Sequence, residues 1–107
     1  MSHKLFIFPF LGTDYKIWLK EEHYASNDNL ALQAYTDEGE PFAMISTNVE
    51  GALTKAEGKD HICLDDNNLP IKSFDNLMKA GVLTPTGRYA QSGFCNYPIY
   101  KVDLTKI

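Results

Sequence analysis

Arginine is almost missing from this chain: of ten basic side chains one, Arg88, is arginine, and against fourteen acidic ones they leave a formal charge of −4. The lysines are scattered, with no stripe or run among them. A protein that works by neutralising nucleic-acid phosphates concentrates basic charge on one surface, so that class is disfavoured. The acidity is too modest, and too interleaved with lysine, to make the chain a mimic of nucleic acid.

Long apolar runs are also lacking. The stretch Leu5 to Leu11 is broken by Pro9 and falls far short of the roughly 20 residues a membrane-spanning helix needs. The first residues lack the basic start and small-residue cleavage site of a signal peptide. A cytoplasmic protein without a membrane partner is therefore expected. Cysteine is scarce, with Cys63 and Cys95 alone. In a cytoplasmic setting they are free thiols, and in a secreted one they could pair. There is no internal repeat and no low-complexity segment, and residues 1–107 are expected to form a single domain with one core.

What the chain does have is strand patterning. Lys4 to Phe10 alternates Phe6, Phe8 and Phe10 with Leu5 and Ile7, a strand apolar on both faces that at Pro9 is either at a sheet edge or ending. Gly12-Thr13-Asp14 is a turn. Tyr15, Ile17 and Leu19 then alternate with Lys16, Trp18 and Lys20, a half-buried strand. Trp18 lies either flat beneath the lysine stems or open as an aromatic contact for a partner. Leu30 to Tyr35 and Phe42 to Thr47 flank Asp37-Glu38-Gly39-Glu40-Pro41 as a hairpin, with Gly39 where the loop needs positive φ. Val49 to Asp60 reads as a long surface loop with room for one helical turn. His61 to Leu64 is a short strand stopped by Asp65-Asp66-Asn67-Asn68. Ile71, Phe74, Leu77 and Met78 then share one face of a helix from about Pro70 to Ala80, with Gly81 at its end. Pro85 and Gly87 make a turn, Gly93 marks a bulge or a close backbone approach, and Tyr100, Val102 and Leu104 belong to a last strand.

Catalytic and metal motifs are weak. His61 and Cys63 share a strand face, but there is no Cys-x-x-Cys, and Cys95 and His23 could complete a zinc set only through the tertiary fold. The Asp65-Asp66-Asn67-Asn68 cluster lacks the order of a calcium loop and is explained by turn formation and by helix capping at Asn68. Ser92 beside Gly93 misses the Gly-x-Ser-x-Gly elbow. A Cys95 nucleophile with His23 or His61 as base is a generic pairing. No metal and no cofactor are expected.

The richest stretch is Thr84 to Leu104. Arg88, Tyr89, Gln91, Ser92, Asn96, Tyr97 and Tyr100 bring rings and uncharged hydrogen-bonding groups together there, residue types that favour protein interfaces. With Trp18 they form the candidate binding set. Within it, Pro85-Thr86-Gly87-Arg88-Tyr89-Ala90-Gln91-Ser92-Gly93-Phe94-Cys95-Asn96-Tyr97-Pro98-Ile99-Tyr100 resembles the signature of an uncharacterised family of small proteins of about 100 residues, carried by bacterial phages and conjugative elements. The Asp37 to Pro41 turn and the Asp65 to Pro70 segment are similar too. The resemblance brings a genetic setting and no activity, cofactor or site residue.

These observations predict an α+β fold in which five or six mainly antiparallel strands form a twisted sheet with one helix on one face. The expected function is that of a non-enzymatic accessory protein of a mobile element, binding a protein partner through the Arg88 to Tyr100 surface and acting, for example, against a host defence. One alternative is a small-molecule or nucleotide binder, with or without activity, whose Arg88 grips an anion and whose tyrosines stack on a ring. Another is a single-stranded nucleic-acid binder using Arg88 with Tyr89, Phe94 and Tyr97. A homodimer through an edge strand is a third.

Overall fold

The computed structural model describes residues 3–107. Eight strands run in chain order as β1 (Phe6–Phe10), β2 (Thr13–His23), β3 (Leu30–Thr36), β4 (Pro41–Met44), β5 (Ser46–Thr47), β6 (His61–Leu64), β7 (Leu83–Ser92) and β8 (Cys95–Val102). They form two antiparallel four-stranded sheets, ordered β1-β2-β3-β4 and β5-β6-β8-β7. The α+β class stands, but the single sheet of five or six strands is corrected to two sheets. The physical reason lies at Ile45. Phe42 to Thr47 reads as one strand, yet the Ile45 N–H donates to Leu32 O (2.9 Å) while its own carbonyl accepts from Asp65 N (2.9 Å). One strand thus changes sheets at this residue, the device by which packed sheets make corners.

Ser46 makes the corner possible. As the chain leaves β3, the Leu32 N–H loses its strand partner, and the Ser46 hydroxyl accepts from it instead (3.0 Å) while meeting the Tyr24 hydroxyl (2.9 Å). Among the described residues Ser46 is one of two buried polar ones, and its hydroxyl satisfies an amide that would otherwise be buried without a partner.

The inner faces of both sheets share one core, in which Phe8, Ile17, Leu32, Ile45, Ile62, Leu64, Phe74 and Leu77 are sealed. Phe8 packs edge-on against Phe42 and Phe74, with ring centroids 5.6 and 5.4 Å apart, the geometry that the ring quadrupole favours. A smaller cluster of Val49, Cys63, Ala90 and Ile99 lies on the other face of the second sheet, beneath the 49–60 loop. That loop therefore covers a core of its own.

The helical segment is shorter than its periodicity predicts. A 3-10 turn at Ile71–Phe74 leads into α1 (Asp75–Lys79). Phe74 and Leu77 are buried, but Ile71 points outward, because the tighter 3-10 winding rotates it off the apolar face, and Ser73 is buried instead. The end of the helix agrees with expectation. Gly81 takes φ +77°, Val82 N bonds Leu77 O (3.0 Å) and Gly81 N bonds Met78 O (3.0 Å). This is the Schellman arrangement, with Val82 and Leu77 packed in the core beneath it.

Pro9 does lie on an edge strand. The outward carbonyls of β1 are occupied by the helical segment: Ser73 Oγ donates to Pro9 O, and Asn76 Nδ2 donates to Ile7 O (2.9 Å). With no N–H on Pro9, this edge has little left to offer a second chain.

The β1–β2 turn is strained. Phe10 pairs with Thr13 across Leu11 and Gly12, both at positive φ (49° and 82°), as a type I′ turn requires. Leucine in that conformation costs about 1–2 kcal/mol, and nothing is recovered by burial since Leu11 is 82 % exposed. Leu11→Asn is expected to stabilise the protein by about 1 kcal/mol, read as a higher midpoint in urea with an unchanged slope.

Candidate functional site: the β7–β8 ribbon

Two features shape the ribbon that carries most of the candidate residues. The first is a bulge. Pro85 pairs with Tyr100 and Tyr89 with Pro98, so Thr86, Gly87 and Arg88 stand opposite Ile99 alone. Gly87 takes φ +80°. The Thr86 hydroxyl donates to Ile99 O (2.7 Å) and accepts from Arg88 N (3.2 Å), satisfying backbone groups that the bulge takes out of the ladder. The turn expected at Pro85 to Gly87 is thus a bulge within one strand. The bulge or close approach expected at Gly93 is a two-residue hairpin turn, Gly93-Phe94, closed by the Ser92–Cys95 pair, with Gly93 at φ +61° in the first central position.

The second feature is reach. β6 pairs with β8 only from Ile99 to Lys101, so the ribbon from Tyr89 to Pro98 extends beyond the rest of its sheet. Directly paired residues share a face. Ala90 and Tyr97 turn toward the smaller core, whereas Tyr89 with Pro98 and Gln91 with Asn96 face the other way.

The predicted residues divide accordingly. Tyr89 (69 % exposed), Gln91, Ser92 and Asn96 are on the surface, and Phe94, which the binding set left out, is fully exposed at the tip. Tyr97 is half-buried. Tyr100 belongs to the main core at 7 % exposure, where burial pushes its phenol above the ordinary range. Its place in the binding set is corrected: on the strand alternation Tyr100 falls with Val102, toward the inside.

Trp18 is remote from the ribbon, on the outer face of the first sheet. It is stacked between His3 (centroids 3.6 Å) and Tyr35 (4.6 Å), the latter its cross-strand partner. Both faces of the indole are covered, by rings rather than by the lysine stems.

Arg88 is half-exposed and paired with Glu57. Glu57 is itself held in place: its carboxylate accepts from Thr54 N (3.0 Å) while its own N–H donates to Thr54 Oγ1 (3.1 Å). This reciprocal capping box opens the 3-10 turn Glu57–Lys59. The Thr54 amide, with Arg88 after it, holds the Glu57 carboxyl below its usual range. The sequence carries the signal, Thr54-x-x-Glu57, within the stretch read as a loop. The pair ties the loop over the smaller core to the bulge, so the guanidinium already has an anion.

Three grooves open on the surface. One of about 550 Å³ is lined by Asp60, Thr84, Lys101 and Asp103, a second of about 360 Å³ by Asp14, Lys16 and Glu38, and a third of about 340 Å³ by Asn29, Leu53 and Lys59. Arg88 lines none of these three. Among the described residues no three His, Cys, Asp or Glu side chains gather as metal ligands. His61 bonds Asp60 (2.7 Å), and His23 contacts Glu21 and Asp28 O (both 3.1 Å), so both imidazoles engage groups other than Cys95. Asn68 does not cap the helix: it donates to the Asp65 carboxylate (2.9 Å), which fixes the turn. No helix among the described residues is long and apolar enough to cross a membrane.

No curated protein and no solved structure matches the chain. A family model does, over residues 18–107, a span that takes in Trp18, the sheet-switching strand, the capped loop and the whole ribbon; the chain belongs to the family defined by the domain of unknown function DUF4313.

Proposed function

We propose that this protein is a non-enzymatic binding module that acts through protein–protein contact, with the tip of the β7–β8 ribbon and the face that carries Tyr89, Gln91 and Asn96 as its contact surface. The observation that carries this reading is the exposure of Tyr89 and Phe94 on a ribbon that projects past its own sheet. Exposed rings are the kind of anchor that contributes most at protein interfaces. Gln91, Ser92 and Asn96 beside them supply hydrogen bonds without the desolvation cost of a full charge. The resemblance to proteins of phages and conjugative elements makes a host protein, such as a component of a defence system, the kind of partner to seek.

The small-molecule reading needs a pocket at Arg88. Its guanidinium is paired with Glu57, and Arg88 lines none of the three grooves, which counts against that alternative.

The test is capture from the native host with the tagged chain and with Tyr89→Ala and Phe94→Ala. Both variants are expected to keep the parent's thermal midpoint within a degree or two, because exposed substitutions cost about 0.5 kcal/mol or less. Each is expected to weaken capture of the same protein at least about tenfold, the effect of removing one anchor side chain. Undiminished capture by both variants would remove the ribbon from the contact surface.

A further inference from the structure

We infer that the outer edge of β7 pairs with the same edge of a second copy, joining two second sheets into one. This rests on the reading of the ribbon as a protein-contact surface and names one occupant of it. Pro98 has no N–H and sits opposite Tyr89, at a position where β7 and β8 exchange no ladder bonds. In an antiparallel pair such positions alternate, so the N–H and C=O of both Tyr89 and Gln91 turn away from β8. Among the described residues, no backbone hydrogen bond outside the strand ladders ends on either.

Exposed edges are normally blunted by proline, charge, shortness or a covering element. The other three terminal strands are treated this way. β1 has Pro9 and is covered by Ser73 and Asn76, β4 is four residues long and starts at Pro41, and β5 has two residues. On β7, Pro85 and the bulge protect the first half. From Tyr89 to Ser92 there is no protection, and from Tyr89 to Asn96 there is no charged residue at all.

A second copy fits this edge in particular. In a two-fold pairing centred on Ala90, Tyr89 of each copy meets Gln91 of the other, and the four outward groups of each strand are all used. Ala90, with its small side chain, sits on the axis, where strands approach most closely. Arg88 falls beside Ser92 of the other copy and not beside its own equivalent, so two chains of charge −4 meet without like charges opposed. The same register sets Gly93, with Phe94 next to it, opposite Gly87 of the other copy, beside which there is open space: an added Cβ there would meet nothing within 4 Å. The interface is isologous, and it sets Tyr89, Gln91 and Asn96 of both copies on one face of a continuous sheet, doubling the surface offered to a partner.

Sedimentation velocity on the full chain, from micromolar to millimolar, tests the inference. A reversible monomer–dimer equilibrium is expected. Gln91→Pro removes an outward N–H and no ladder bond, so the thermal midpoint should hold while self-association weakens about tenfold or more, the effect of losing two interchain hydrogen bonds. Phe94→Lys, at the fully exposed tip, should weaken it independently and keeps the test open if the proline variant fails to fold. A monomer at every concentration, or a dimer that neither variant weakens, overturns the inference. Host capture is scored separately: a monomeric chain that still captures a partner through Tyr89 and Phe94 refutes the dimer and leaves the proposed function standing, and a dimer that captures nothing does the reverse.

Discussion

Phe8→Ala is expected to cost the fold about 3–5 kcal/mol, the range for removing a ring from a sealed core. Phe8 has no exposure and holds Phe42, on the sheet-switching strand, and Phe74, at the entry to the helix, in edge contact. Its loss leaves a cavity where the first sheet and the helical segment meet. A domain of this size has about 5–15 kcal/mol in total, so the variant should lie near the threshold of folding at 37 °C. Urea unfolding of the parent and the variant measures the difference. Phe94→Ala is the control: the same chemical change at the exposed tip should move stability by about 0.5 kcal/mol or less. A cost below about 1 kcal/mol for Phe8→Ala would mean that the site collapses around the missing ring.

Ser46→Ala carries the second large effect, with a different origin. The Ser46 hydroxyl is the partner of the Leu32 N–H at the point where β3 loses its neighbour. Alanine fits the space and leaves that amide buried and unpaired, at a cost of about 1–3 kcal/mol. Tyr24→Phe removes the hydroxyl's other contact without orphaning the amide, and should cost less, about 0.5–1.5 kcal/mol. Chemical denaturation of the two variants side by side distinguishes backbone satisfaction from simple loss of a side-chain hydrogen bond. Equal costs would mean that water takes the place of the hydroxyl.

Much of the local structure was legible because it is local. Two-residue alternation marks β1, β2, β3 and β8, a hydrophobic spacing of three and four marks Phe74 and Leu77, and glycines mark the turns at Gly39 and Gly81. What was not legible depends on partners distant in sequence. Nothing in Phe42 to Thr47 announces that Ile45 divides its hydrogen bonds between two sheets, because both halves of the strand have the same alternation. Gly87 and Gly93 look alike in the sequence. One sits in a bulge and the other in a hairpin turn because Tyr100 and Cys95, their surroundings on β8, fix the pairing. Tyr100 and Tyr89 lie on the same face of the ribbon and differ in where along it they fall: Tyr100 is level with β6 and the shared core, and Tyr89, opposite Pro98, lies past the end of that pairing. The Thr54–Glu57 capping box was in plain view, hidden by a polar composition that invites a reading as loop.

The residue at the corner has a consequence for how the molecule comes apart. Ile45 gives its amide to one sheet and its carbonyl to the other, and both sheets line the same interior. Neither half can melt while the other stays whole, since losing either one strips this residue of a bond and opens the shared interior to water. The protein should accordingly behave as one cooperative unit, and a cut placed between the two halves of the chain would yield fragments with no structure of their own.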